Sequence, residues 1–434
     1  MLVPLSIFLY NVFIKLYEWA VYIVATQNEK AAKWISGREN LLTRIANDFK
    51  EIDPEKERIW MHCASLGEFE QGRPLIEALR QQKPEAIIVL TFFSPSGYEI
   101  RKNYPNADYV YYLPSDTKKN AREFLSIIRP SLVIFVKYEF WFHYFMETKK
   151  SDARFILISA SFRKSQLFFK WYGGMYRKML GALSHIFVQD QKSFALLAKN
   201  GFNNVTISGD TRIDRVQNIA LHSRSLPTLE MFLHGEKAFT GGSIYPIENE
   251  FIRKAYLEKI IRGKIILAPH QVDTAHLQNI LELWGDEAIL YTVFNEKEAA
   301  DKSVLIVDTI GMLSNIYKYT SMAMIGGGFG KGIHNTLEPA AFGIPIVFGP
   351  KYDKFKEAEE MRESGAAFSF EDYEGFKNIL LKLQDEQIAS VAGEKAREYI
   401  QANSGGTKKI IDWLETRGQE SGLRSQEKVR ESGE

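Results

Sequence analysis

Three short stretches in the first half of the 434-residue chain put charged side chains directly after apolar runs. In "IWMHCASLGEFEQG" a Gly67 precedes Glu68, and the pattern that follows is helical. A carboxylate there sits at the positive end of a helix dipole with no bulky neighbour, a setting suited to a general base. The structural alternative is a capping box, Ser65 capping the helix and Glu68 reaching back to the cap amide. In "FVKYEFWF" Glu139 lies two residues before Trp141, where a carboxylate can hydrogen-bond a sugar or offset developing positive charge; its structural alternative is a solvated first-turn acid. In "SGDTRID" Arg212 can meet an anion, or simply pair with Asp210 or Asp214.

The second half carries a different chemistry. "TGGSIYP" sets Gly241, Gly242 and Ser243 between a strand and a helix, where free amides can bind phosphate. "LAPHQ", with Pro269 and His270, and "DTIGML", with Ile310, Gly311 and Met312, follow later strands. "GGGFGKGIHNTLEPAAFGIPIVFGP" then packs five glycines into residues 326–332. It is not a Walker loop, because Ile325 stands five residues before Gly330-Lys331, and no register fits G-x-G-x-x-G. So many glycines imply that some backbone or ligand comes close. Asn335, Thr336, Leu337 and Glu338 open the next helix, and the Asn335/Glu338 spacing predicts a capping box with Asn335 as the cap.

The elements that must position these residues form an α/β pattern. "IWMHCA", "AIIVLTFF", "SLVIFV" and "RFILISA" predict buried parallel strands alternating with helices. After a polar connection, "AFTGGS", "KIILAPH", "EAILYTV", "SVLIVDT", "SMAMIGGG" and "IPIVFG" repeat the pattern. We therefore expect two Rossmann-like domains, 40–217 and 237–416, joined by a linker at 218–236 and followed by a disordered tail, 417–434. Ligands of such sheets gather at the carboxyl ends of the strands, so facing domains would form a cleft of loops.

Residues 1–25 are mostly apolar but interrupted by Asn11, Lys15 and Glu18. The charge order does not suit a signal peptide, and the composition suits a helix in or on a membrane better than an uninterrupted span; a buried helix is the remaining reading. "SFRKSQLFFKWYGGMYRKML" mixes Arg and Lys with aromatics and no acid, which suits an anionic lipid surface or a solvated basic face. A net charge of +1 argues against a nucleic-acid partner, and the single cysteine excludes an internal disulfide. No Cys/His grouping has zinc spacing.

"ASLGEFEQGRPLIEAL", "KYEFW", "GDTRID", "DTIGML" and "HNTLEPAAFGIPIVFGP", in this order behind an apolar N-terminus, resemble the Kdo (3-deoxy-D-manno-octulosonic acid) transferases of lipopolysaccharide synthesis. The resemblance implies a GT-B glycosyltransferase without cofactor or metal. Such an enzyme moves Kdo from CMP-Kdo to a lipid A precursor at the cytoplasmic face of the inner membrane, with inversion. It implies Glu68 as base and Glu139 and Arg212 as transition-state stabilisers, with the CMP-sugar held by Ser243, Pro269, His270, Ile310, Gly311, Met312, Asn335, Thr336, Leu337 and Glu338. The chain departs from the family's commoner pattern at Lys137, Arg212, His270-Gln271, Met312 and Thr336. Two other readings share the fold: a UDP-sugar glycosyltransferase or epimerase, and a non-catalytic sugar-nucleotide binding protein on the membrane.

Overall fold

The computed structural model describes residues 2–299 and 301–416; the expected tail at 417–434 lies outside them. Contacts divide the chain into one unit up to Arg212, joined by the chain from Gly405 onward, and a second of Ile213–Ser404.

The first unit is built on seven strands: β1 (Arg58–Cys63), β2 (Ile87–Phe92), β3 (Tyr109–Tyr112), β4 (Leu132–Val136), β5 (Arg154–Ala160), β6 (His185–Val188) and β7 (Val205–Ile207). Their order is β3-β2-β1-β4-β5-β6-β7, and every pairing is parallel. Alternate side chains serve opposite faces. Ile59, Met61 and Cys63 enter one apolar cluster with Leu75 and Ile76, whereas Trp60 joins Val133, Phe135 and Phe155 in another. Both faces are thus covered, which explains why the strands read as nearly continuous apolar runs. A helix over 406–416 closes this unit: Ile410 and Ile411 enter the first cluster, and Arg154 Nη1 donates to Leu414 O at 2.9 Å.

The second unit repeats the plan with β8 (Ala238–Ile244), β9 (Ile265–Pro269), β10 (Ala288–Leu290), β11 (Val304–Ile306), β12 (Thr320–Ile325), β13 (Ile346–Phe348) and β14 (Ala367–Ser369). The order is β10-β11-β9-β8-β12-β13-β14, again parallel throughout. In each sheet the strand order reverses, between β1 and β4 and between β8 and β12. Crevices open at such reversals, on the carboxyl side of the strands. The expected α/β architecture of two parallel Rossmann-like sheets is what the structure shows. Strands β3, β6 and β14 are additions to the strands read from sequence, being short and either aromatic or partly polar.

The N-terminal helix Leu2–Val24 is long and apolar enough to cross a membrane by length and composition. It nevertheless packs on the first unit, with Ile14 buried and Ile7 and Tyr10 against the core.

Most of the glycine loop is explained by its own chain. A Cβ on Gly326 would strike Ser243 O and meet Ile244 Cα at 2.6 Å, and one on Gly328 would meet Gly349 N and Cα at 2.6 Å. Gly327 (φ 93°) and Gly332 (φ 132°) occupy backbone space that L-residues rarely enter. Only the space beside Gly330 is open, its nearest neighbour being Gly327 O at 3.6 Å. The close backbone approach expected from the sequence is therefore met by β8 and by Gly349. Gly326→Ala should cost about 1–3 kcal/mol through overpacking against rigid backbone, whereas Gly330→Ala should be nearly silent. Chemical denaturation of the two variants checks this difference.

Candidate functional site

In the first unit the loops after β1, β4 and β7 carry the three expected charged residues. The helix Leu66–Gln82 starts at Ser65, which occupies the cap position but makes no side-chain cap. Its hydroxyl donates instead to Glu68 Oε2, so the capping box is not formed and the serine is committed to the carboxylate. Glu68 is half-buried, and among the described residues no cation pairs with it. Gly67 leaves open space, since a Cβ there would meet only Ser65 Oγ at 3.8 Å. Gly72 one turn on has a packing role: its Cβ would meet Met61 Sδ at 2.6 Å, so it lets the helix lie close on β1.

Glu139 is not a solvated acid. Its Oε2 accepts from Trp141 Nε1 at 2.7 Å and lies 3.1 Å from His62 Nε2, while its side chain is 15% exposed. His62 is fully buried in β1, and its Nδ1 lies 2.9 Å from Thr91 Oγ1, which in turn accepts from Trp60 Nε1. With Nε2 carrying the proton, His62 donates to Glu139 and its Nδ1 faces the Thr91 hydroxyl, whose alternative acceptor is Met61 O at 3.4 Å. Lys137 begins the loop in the left-handed region at φ 63°, a conformation that costs energy for a residue with a Cβ and turns the chain so that Glu139 points back at β1. His62 escaped the sequence reading. Its signal was a polar residue inside the strand that leads directly into the Glu68 loop.

Arg212 adopts its structural alternative and more. It pairs with Asp210 through Nη2 at 2.6 Å and Nε at 2.9 Å, and Asp210 also accepts from Gln71 and Gln189. The pair is not a loose surface contact, because Asp210 is largely buried. Burial alone would raise the Asp210 carboxyl, but Arg212, aided by Lys137, holds it below the usual carboxylate range. Gln71 comes from the Glu68 helix, so the third loop is tied to the first. The buried Cys63 thiol is pushed well up, first by desolvation and then by Glu68 and Glu139, which places both carboxylates in its electrostatic surroundings.

In the second unit the loops after β8, β9 and β12 meet at three nearly parallel rings. Tyr245 stacks on His270 at 4.8 Å, and His270 on His334 at 4.5 Å. Beside them is a cavity of about 230 Å³ lined by Tyr245, Asn249, Pro269, His270, His276 and Ile280. That is smaller than the roughly 300–1,000 Å³ of pockets that enclose drug-sized ligands, so it suits one moiety of a larger molecule. Glu248, buried beneath, accepts from Tyr245 N and Gly327 N and thereby couples the β8 and β12 loops.

The expected donor residues fall unevenly around these rings. Gly241 and Gly242 lie inside β8, where Cβ atoms would strike Ile252 and Tyr317, so they do not present the free amides read from the sequence. Ser243, next to last in that strand, has φ 53°. Pro269 ends β9 and His270 N donates to Ile244 O at 3.0 Å. Ile310 is exposed, Gly311 has φ 93°, and Met312 precedes the short helix Leu313–Ile316. In the helix Leu337–Phe342 the cap position falls on Thr336, which makes no side-chain cap, not on Asn335, because the first turn begins one residue later than the spacing predicts. Asn335 Oδ1 still accepts from Leu337 N at 3.0 Å, and its Nδ2 donates to Glu338 Oε1 at 3.1 Å. Tyr245, His334 and Glu248 were not singled out as site residues; stacking and a buried acid become visible only when strand ends are assembled.

Residues 39–215 match the family model described as 3-deoxy-D-manno-octulosonic-acid transferase (kdotransferase). A 3-deoxy-D-manno-octulosonic acid transferase of Aquifex aeolicus is 28% identical over 350 residues, 79% of this chain and 90% of that protein. Its counterpart in Haemophilus influenzae is 24% identical over 380 residues, 83% and 87% of the two chains. Among solved structures, the UDP-GlcNAc 2-epimerase of Neisseria meningitidis superposes with a TM-score of 0.59 at 14% identity, covering 83% of this chain and all of that one. The MurG structure of Acinetobacter baumannii gives 0.54 at 11% identity, covering 83% and 99%. These superpositions establish a GT-B-like fold, and the sequence relatives establish the class, a glycosyltransferase. Within that class the chain is similar to the Kdo transferases, over residues 39–215 by the family model and over about four-fifths of its length by these relatives.

Burial and the neighbouring His270 push the His334 imidazole down to about 4. Between the ordinary histidine range and that value the unfolded chain binds a proton that the folded one refuses, so stability is lost as pH falls from about 6.5 toward 4. Thermal unfolding of the protein and of His334→Gln across this window checks it: the variant should lose less stability on acidification.

Proposed function

We propose that this protein moves Kdo from CMP-Kdo to a lipid A precursor at the cytoplasmic face of the inner membrane, in an inverting, metal-independent transfer. The observation that carries the reading is Glu68, a carboxylate at a strand-to-helix turn, bonded to Ser65 and, among the described residues, to no cation, on a chain similar to Kdo transferases. Glu68 takes the proton of the acceptor hydroxyl as its oxygen attacks the anomeric carbon. The bond from that carbon to the CMP phosphate breaks on the opposite side, and CMP departs with the electron pair. Glu139, oriented by His62 and Trp141, offsets positive charge at the sugar, and Arg212 offsets negative charge on the leaving phosphate.

CMP is held by the loops bearing Ser243, Pro269, His270, Ile310–Met312 and Asn335–Glu338, with Glu338 on the ribose hydroxyls. Tyr245 and His270 offer flat rings to its base. The first unit, to which the 406–416 helix returns, binds the acceptor and the second, Ile213–Ser404, binds the donor.

Membranes containing the protein should transfer labelled Kdo from CMP-Kdo to a lipid A precursor. Glu68→Gln should retain CMP binding while turnover falls by roughly 10²-fold or more. Transfer from a UDP-sugar in place of CMP-Kdo would refute the donor, and undiminished turnover in the variant would return Glu68 to a structural role.

A further inference from the structure

Helix Leu2–Val24 has two unlike faces. Ile7, Tyr10, Ile14 and Val21, spaced by three, four and seven residues, turn toward the first unit. Leu5, Phe8, Leu9, Phe13, Leu16 and Ile23 turn away and are each more than half exposed. At about 1.5 Å per residue the helix is about 35 Å long, enough to cross a bilayer, so length does not decide its orientation. Its polar contacts do.

Tyr10 Oη donates to Asp116 Oδ2 at 2.5 Å, and Asp116 is buried, its carboxylate also accepting from His143 N at 3.0 Å and Tyr144 N at 3.1 Å. Asn11 Oδ1 lies 2.6 Å from His143 Nε2. Further along, Tyr17 packs edge-on against Trp34 and at a 34° tilt against Phe93. A helix that crossed a bilayer would carry Tyr10 and Asn11 into hydrocarbon and strip both partners from buried groups of the domain, which is unfavourable at each end.

A second apolar element adjoins the first. Trp171 is 79% exposed and Tyr172 46% exposed, at the tip of a loop whose Gly174 abuts Val3. Arg177 fixes that tip by donating to the carbonyls of Phe168, Lys170 and Trp171. Around it stand Arg163, Lys164, Lys170 and Lys178, and residues 161–180 contain no acid. Trp and Tyr favour the headgroup level, and clustered Lys and Arg favour anionic lipid.

We propose that the outward face of helix Leu2–Val24 and the Trp171–Tyr172 tip form one surface that lies in the plane of an anionic phospholipid leaflet, the helix being latched to the domain through Tyr10–Asp116 and Asn11–His143 and not crossing the bilayer. The inference does not depend on the sugar that is transferred.

The test uses the full chain bound to vesicles of phosphatidylethanolamine and phosphatidylglycerol. Spin labels are placed singly through Leu5→Cys, Phe13→Cys and Ile23→Cys; Cys63 is buried and stays unlabelled. Depth, read from oxygen and nickel-chelate accessibility, should be shallow and nearly equal at all three positions. Lys164→Ala and Lys170→Ala should each weaken vesicle binding about fivefold, matching about 1 kcal/mol per basic residue, and pure phosphatidylcholine should bind less. Graded depths with position 13 at the bilayer centre and position 5 in the far leaflet would overturn the proposal. So would labels buried in a dimer of the chain with no vesicle binding.

Discussion

The hydrogen bond between His62 and Glu139 is the contact on which the first unit's site depends. It joins β1 to the loop after β4 at the point where the strand order reverses. A histidine with no exposed surface in the middle of a sheet must find partners for both ring nitrogens, and Thr91 and Glu139 are those partners. The requirement works in both directions. The buried imidazole needs the carboxylate, and the carboxylate is thereby held at the strand end with Trp141 as its second donor. Lys137 accepts a left-handed backbone to deliver it. Glu68 enters from the other side of the reversal, on a helix that Gly72 allows to lie close to β1, and Asp210 ties Arg212 to the same helix through Gln71. Three loops spread over more than a hundred residues of sequence thus share one framework.

The second unit solves the same problem with different chemistry. Backbone contacts hold its reversal point: Gly326 against Ser243 and Ile244, Gly328 against Gly349, and the buried Glu248 carboxylate between two loop amides. The stacked rings of Tyr245, His270 and His334 then form a flat surface beside a small cavity. A site made of rings and backbone discriminates by shape and stacking, whereas the acid-rich site of the first unit is suited to moving protons and balancing charge.

Much of this was legible in the chain. Apolar runs buried on both faces of a parallel sheet leave an unmistakable pattern, and Glu68, Glu139 and Arg212 sit where that pattern places strand ends. Motif spacing was less reliable for local bonds. Ser65 and Glu68 have capping-box spacing but bond to each other, and Asn335 has it one residue too early. The glycines of residues 326–332 suggested a ligand because the sequence cannot show that Ser243 and Gly349 come to lie against them. His62 and Glu248 were illegible for a related reason. A single polar residue in an apolar run acquires meaning only from the partner across the sheet, and that partner is set by strand order.

The central claim is that one carboxylate, Glu68, deprotonates the acceptor for a single displacement at the anomeric carbon. That requires the transferred sugar to emerge with inverted configuration, because a single attack occurs opposite the leaving phosphate. Nuclear magnetic resonance of the isolated product, made from donor of known anomeric configuration, reads this directly. The account predicts inversion at the anomeric carbon; retention would contradict it.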